Sequence, residues 1–289
     1  MNQNKDPAFG LSFKWRSVKR EDLQKATDLL VDNERKYVGA CGRFLARAEG
    51  DHLWVLSGKN GEVAALAVNS RSTLIPVLSA NNNTIWPDFP VNFLRSKSIH
   101  SLQGLTNEVV HFEKSMAKAG RRITDQYEYD LMSIDTYPEI RNKKSCPVNL
   151  VLRVPTLADL NSITPLQAAY EMEEVIPAGS SFNPAASRIA TAKMIAGGKI
   201  FAAEINGRFI GKIHVNAVSF TRYQVGGVYV HPEFRGMGIA GKMTAEFITL
   251  LLSECRGITL FVKKNNAPAR RLYAGLGFSV KGDYRITYY

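Results

Sequence analysis

A chain of 289 residues, 45% hydrophobic and 22% charged, has the balance of a soluble globular protein and is long enough for two domains. It holds no run of about 18 apolar residues to cross a membrane, and no apolar segment follows the polar start Met1–Asp6 to act as a secretory signal. Cys41, Cys146 and Cys255 are widely spaced with no nearby His or Cys, which excludes a disulfide framework and a metal-ligand spacing, so a cytoplasmic protein with reduced thiols is expected.

The formal net charge of +11 suggests an anionic partner. Residues 150–289 carry 16 Lys and Arg against 9 Asp and Glu, and the rest 21 against 17, so the excess is denser in the C-terminal half. There is no Arg-rich tail and no basic stripe interleaved with aromatics, which argues for a cofactor bearing several phosphates over nucleic acid.

In chain order, Asp22 to Val31 has helical spacing through Leu23, Ala26, Leu29 and Leu30. Leu53 to Leu56 and Glu62 to Asn69, separated by Gly58-Lys59-Asn60-Gly61, suit a hairpin, and Thr73 to Leu78 a further strand. Residues 104–119 read as a helix and Tyr127 to Ile134 as a strand. The stretch Ile140 to Asn149 is polar, charged through Arg141, Lys143 and Lys144, and interrupted by Pro147, as an exposed link would be.

Beyond it, Val148 to Val154 alternates as a short strand and Leu157 to Val175 is helical. Pro184 opens a helix to Ala196 that stops at Gly197-Gly198. Ile200 to Ile205 and Arg208 to Val218 are joined by Asn206-Gly207, a strong hairpin signal. Tyr223 to Val230 is a strand, and Gly238 to Leu252 a helix with Ile239, Met243, Phe247 and Leu250 on one face. Ile258 to Val262 follows as a strand, Ala267 to Leu276 as a helix, and Phe278 to Tyr289 as a last strand or hairpin. The order helix, hairpin, strand, helix occurs in both halves, which suggests a duplicated fold with domains at 1–147 and 148–289.

The chemistry-bearing segment is strand Val225-Gly226-Gly227-Val228-Tyr229-Val230, then His231-Pro232-Glu233-Phe234, then Arg235-Gly236-Met237-Gly238-Ile239-Ala240 and a helix. N–H groups unpaired at a helix N-terminus, together with the helix dipole, form an anion site. Glycine lets the backbone come close to phosphate oxygens, and Arg235 adds a charged fork. Gly236-Met237-Gly238-Ile239-Ala240-Gly241 also spells a dinucleotide fingerprint. Only 48 residues follow it, too few for the further βα units of such a domain, and the next strand ends in Lys263-Lys264 in place of an acidic ribose ligand.

The spacing instead resembles the GNAT acetyltransferase superfamily, whose pyrophosphate loop is Gln/Arg-x-x-Gly-x-Gly/Ala; Arg235, Gly238 and Ala240 occupy its fixed positions. Asn266-Ala267-Pro268-Ala269-Arg270-Arg271-Leu272-Tyr273 with Gly277-Phe278 resembles the same superfamily's downstream signature. The resemblance runs from Val148 to the C-terminus; the first half resembles a degenerate copy, as in tandem members, without a counterpart of the loop. It implies an α/β (α+β) fold of two GNAT-like domains, each a mixed, mostly antiparallel twisted sheet flanked by helices. It also implies transfer of acetyl, or another short acyl group, from acetyl-CoA to an amine of a small molecule or protein. Cofactor contacts are implied for Val228, Tyr229 and Val230, for Arg235, Gly236, Met237, Gly238, Ile239 and Ala240, and for Asn266, Ala269 and Tyr273. The strand at Val228–Val230 would part from its neighbour and offer its main chain to pantetheine, and Tyr273 would protonate the departing thiolate.

Many superfamily members carry a glutamate on the strand before the loop; here that strand has Gln224, Gly226 and Gly227 and no acid, so the base is unassigned. Glu204, beside the hairpin turn, is a candidate base and otherwise a solvated strand end. Glu171, Glu173 and Glu174 would attract a cationic acceptor or form a solvated helix face. His214 reads as a surface or structurally bonded histidine. A CoA-binding sensor without turnover is the alternative function, a nucleic-acid-associated protein a third, and monomer or homodimer is left open.

Overall fold

The computed structural model describes residues 13–78, 86–138, 146–177 and 179–289, and the chain divides into two units, Met1–Leu131 with Lys281–Tyr289, and Met132–Val280. The polar start Met1–Asp6 and most of the link Ile140–Asn149 lie outside the described residues. Compared with a cut at 147/148, the division assigns the last strand to the first unit.

In the first unit the described elements are β1 (Lys14–Ser17), α1 (Leu23–Asp32), α2 (Glu34–Ala46), β2 (His52–Ser57), β3 (Val63–Ser70), β4 (Thr73–Leu78), α3 (Val91–Ser96), β5 (Ser101–Leu105), α4 (Thr106–Lys118) and the start of β6 (Asp125–Ile134). Strands run β1-β2-β3-β4-β5 and then β12 (Ser279–Tyr288). These neighbours are antiparallel except β4 and β5, which are parallel through Thr73↔Ser101 and Leu74↔Leu102. The helix expected over 104–119 is corrected to Thr106–Lys118: Gly104 and Leu105 belong to β5, where they pair with Arg285 and Tyr284 of β12. A partner some 180 residues away overrides the local pattern. The last segment, open between strand and hairpin, is one strand. Leu56, Leu74, Leu102, Val109, Phe112 and Met116 make the core of this unit, with Trp15, Trp54 and Phe93 around Phe89 in edge-to-face contacts of 5.1–5.9 Å.

The second unit contains β7 (Leu150–Arg153), α5 (Leu160–Tyr170) continued by a π-helical turn Glu171–Val175, α6 (Pro184–Ala196), β8 (Ile200–Ile205), β9 (Arg208–Val218), β10 (Arg222–Val230), α7 (Ile239–Leu252), β11 (Gly257–Lys263) and α8 (Ala267–Gly275). Its strand order is β11-β10-β9-β8-β7, antiparallel but for the β10–β11 pair. The β8–β9 turn follows from its two residues: Asn206 and Gly207 take φ 51° and 78°, the left-handed pair of a type I′ hairpin. Asn183 caps α6 by accepting from Ala186 N–H at 3.0 Å, with Pro184 in the first turn.

Both faces of this sheet are covered. Ile213, Val225, Met243, Phe247, Ile248, Ile258 and Leu260 pack on the α7 side, with Phe201 stacked on Phe247 at 5.5 Å. Ile163, Leu166, Ile195, Ile200, Ala202 and Tyr229 pack on the α5–α6 side. Polar side chains at inward positions of β9 are therefore removed from water. No helix among the described residues is long and apolar enough to cross a membrane.

Candidate functional site

The glycine-rich turn is formed as its residues dictate. Gly236 and Gly238 take φ 83° and 75°, a region that favours glycine, and Gly238 is the N-cap of α7. The helical ladder begins with Lys242 N–H to the Gly238 carbonyl at 3.1 Å, so the N–H groups of Ile239, Ala240 and Gly241 precede it at the positive end of the dipole. A Cβ at Gly236 would meet nothing within 4 Å. Ile239 is buried and Ala240 packs on the core, anchoring the turn, while Arg235, Gly236 and Met237 are exposed.

Arg235 folds back on β10. Its Nε donates to the Val230 carbonyl at 2.9 Å, its Nη2 to Glu173 at 2.7 Å, and its guanidinium lies 5.4 Å from the Tyr229 ring. The Glu173 carboxylate raises its basicity further. The π turn, closed by Ile176 N–H to the Glu171 carbonyl at 2.9 Å, directs Glu173 to Arg235 and Glu174 to Lys263 at 3.0 Å. These acids are thus paired with cations, Arg235 at the glycine-rich turn and Lys263 at the end of β11, a different arrangement from the solvated face that the sequence allows.

β10 and β11 pair through Arg222↔Gly257, Tyr223↔Ile258 and Gln224↔Thr259, and among the described residues the register goes no further. Beyond Gln224 the β10 edge has no β11 partner in this register among the described residues. On its other edge β10 is irregular, with register shifts at Gln224/Val225 and Gly226/Tyr229. Val230 is buried and Val228 half-buried against the α7-side core, with Tyr229 on the opposite face.

At the irregularity a buried polar cluster forms. Lys212 on β9 is 0% exposed. Its Nζ lies 2.5 Å from Gln167 Oε1, 3.3 Å from His214 Nδ1 and 4.0 Å from the Tyr170 ring centroid. Gln167 is oriented by its own amide, which donates to Glu171 Oε1 at 2.7 Å. Burial drives the Lys212 ammonium well below its usual basicity, with Glu171 opposing. His214 is pushed down to about 3, by burial first and then by Lys212. Gly227, at φ 60°, closes the cluster: a Cβ there would lie 2.0 Å from His214 Cε1 and 2.7 Å from Lys212 Nζ. His214 is thus buried and bonded, which corrects the surface alternative.

Lys212, Gln167 and Tyr170 were not singled out by sequence. The available signal was a lysine two residues before His214, on the same face of a strand in a sheet covered on both sides.

Tyr273 on α8 is 8% exposed, edge-to-face with Phe278 at 5.8 Å. Burial, then the neighbouring Tyr170 and Glu174, push its phenol up, so it holds its proton at neutral pH. Asn266 caps α8 by accepting from Ala269 N–H at 3.1 Å, and Ala269 packs against the core. Glu204 stands apart on β8. Its Oε2 accepts from Arg153 Nε at 2.9 Å, and the same arginine forks onto Asp159 at 2.8 and 3.0 Å. Asp159 is held well below the usual carboxylate range, chiefly by that arginine. This ion-pair network ties β7 to the start of α5, two strands from β10.

Residues 167–278 match the model of the acetyltransferase (GNAT) family. No curated protein matches the sequence. Among solved structures, a Drosophila protein aligns over 95% of this chain and 98% of its own at 12% identity and a TM-score of 0.65. A tandem GNAT protein from the clavulanic acid biosynthesis pathway aligns over 95% and 97% at 13% identity and 0.60. A GCN5-related N-acetyltransferase from Sphaerobacter thermophilus aligns over 95% and 94% at 17% identity and 0.56. At these identities the likeness is one of fold: a mixed sheet, largely antiparallel, flanked by helices.

Proposed function

We propose that Met132–Val280 is an acyl-CoA-dependent N-acyltransferase, moving acetyl or a short acyl group to an amine of a small molecule or a protein. The observation that carries this reading is the parting of β10 from β11 after Gln224, directly before a helix-capping turn with glycines in the left-handed region. The family match over 167–278 supports it. When bound, acetyl-CoA supplies an activated carbonyl and a thiolate leaving group. The main chain of Val228, Tyr229 and Val230 would hold its arm. Arg235, Gly236, Met237, Gly238, Ile239 and Ala240 would hold its pyrophosphate, with Asn266 and Ala269 beside the arm. Tyr273, protonated and buried, would act as the acid toward sulfur. Glu204 is given no proton-transfer role, because Arg153 already occupies it.

The test is thiol release from acetyl-CoA with a panel of small amines and amine-bearing peptides. Tyr273→Phe is expected to lower kcat by about 10²-fold with CoA affinity unchanged; equal rates for parent and variant would remove Tyr273 from the chemistry. One observation favours a second reading, a CoA-binding sensor: β10 carries no acid and Glu204 is locked in an ion pair. Calorimetric CoA binding with no release across the panel would select it.

We further read the first unit as a copy of the same fold that has lost its cofactor slot. Its element order repeats that of the second unit, and β4 likewise pairs with β5 over only two residues. Here the space beyond is taken by Glu108, whose Oε1 accepts from Leu78 N–H at 2.9 Å and from the Tyr37 hydroxyl.

A further inference from the structure

The arrangement around Lys212 is unusual for a structural lysine. A buried ammonium is ordinarily matched by a carboxylate at hydrogen-bond distance. Here Nζ meets an amide oxygen, an imidazole nitrogen and a ring face. These groups suit two protonation states. The neutral amine fits a site whose nearest groups, Gln167, His214 and the Tyr170 ring, carry no charge. The protonated amine would find Gln167 Oε1, the Tyr170 π face and, one hydrogen bond further, the Glu171 carboxylate that orients Gln167. The pocket lies against Gly227, where a side chain would collide with Nζ: a Cβ there would fall 2.7 Å from it. Tyr170, which forms its roof, also neighbours Tyr273.

We propose that Lys212 Nζ is the base of the transfer reaction, receiving the proton that the acceptor amine loses, and that Gln167 and Glu171 position it. This rests on the acyltransferase reading above. The acceptor nitrogen's lone pair forms the new C–N bond, and the C–S bond breaks with its electron pair on sulfur. The proton leaving nitrogen goes to Lys212 Nζ, and the Tyr273 hydroxyl gives its proton to sulfur. Return of the proton from Nζ to the Tyr273 phenolate restores both residues, so the products are an amide and a thiol and no other reactant is consumed.

The groups facing Nζ are Gln167 and Tyr170 of α5, Glu171 of the π turn, His214 of β9 and Gly227 of β10; Tyr273 of α8 is close enough to Tyr170 for the charge of one to disfavour ionisation of the other. His214 stays neutral above about pH 3 and does not titrate in the working range. The sign is therefore simple: Lys212 must be unprotonated to act, so kcat/KM, corrected for the neutral fraction of the acceptor amine, rises with pH through the titration of Lys212, which burial has moved well below its ordinary range.

The test uses the full chain, acetyl-CoA and the best amine of the panel, with thiol release followed from pH 5.5 to 9.5. Lys212→Met is expected to bind CoA with a Kd within threefold of the parent, to melt no lower than it, and to lose kcat by about 10²-fold or more. Its remaining rate lacks the parent's acidic limb. Gln167→Glu sets a carboxylate against Nζ and is expected to move that limb to higher pH while the plateau rate stays within about tenfold of the parent. If Lys212→Met does not fold, the limb of Gln167→Glu decides. Lys212→Met retaining the parent rate and limb, or a folded, active Gln167→Glu with the limb unmoved, overturns the base role and leaves the acyltransferase reading standing. A parent that binds CoA but releases thiol with none of the amines overturns both.

Discussion

Gly227→Ala is expected to destabilise the second unit by about 3 kcal/mol. The left-handed backbone at φ 60° costs a residue with a Cβ about 1–2 kcal/mol. The new methyl would also lie 2.0 Å from Cε1 of the buried His214, and displacing that ring in a packed site costs about 1–3 kcal/mol more. Gly226→Ala is the control: its Cβ meets only the amide end of Asn216, an exposed side chain that would give up a hydrogen bond to His214 as it moves, and its φ is outside the positive region. That variant is expected to stay within about 1 kcal/mol of the parent. The measurement is the urea midpoint of each variant, followed by a probe in the second unit. Equal midpoints for the two alanines would show that the His214 ring does not lie against β10.

Glu108 governs the second large effect, in the first unit. The side chain is fully enclosed, and desolvation lifts it to about 8 against the weaker pull of Tyr37 and Leu78. Its folded pKa lies above the ordinary 4.5, so the folded state holds a proton that the unfolded state releases between these values. Stability is then complete below about pH 4.5 and falls as pH rises to about 8, by as much as about 5 kcal/mol at about 1.4 kcal/mol per pH unit. Glu108→Gln keeps an oxygen for Leu78 N–H and Tyr37 and removes the titration. Melting of parent and variant from pH 5 to 9 is expected to diverge, with the parent falling away; parallel curves would mean that Glu108 is ionised in the fold.

The parts of this molecule that were legible in its sequence are those decided by neighbours along the chain. Asn206-Gly207 dictates its hairpin, Pro184 and Gly197 bracket α6 at its observed limits, and the turn Arg235–Ala240 forms because glycines stand where φ is positive. Elements decided by distant partners were not legible. α2 carries Gly39 and Gly42 and breaks helical geometry at Tyr37 (φ −128°, ψ 30°), so only packing makes it a helix. β5 was absorbed into the following helix because its identity depends on β12. β1 is four residues long and takes its register from β2.

The site divides in the same way. Its glycine-rich turn and the Asn266 cap of α8 are each contiguous in sequence, and each forms as its own residues dictate. The polar cluster joins Gln167, Lys212, His214 and Gly227 across three elements, and sequence separations of 45 residues carry no local signature. Glu204 shows the converse. A glutamate near a hairpin looks available along the chain, while in the fold Arg153 reaches it from the adjacent strand.

The central claim is that the gap beside β10 and the turn before α7 hold CoA. Isothermal calorimetry of the full chain with CoA addresses it without knowledge of the acceptor. The expected result is saturable binding at a single site per chain. Arg235→Glu and Gly238→Asp should each weaken it by about tenfold to a hundredfold, the range of one charge-assisted phosphate contact. No heat of binding in the parent, or binding that survives Gly238→Asp undiminished, would contradict the account.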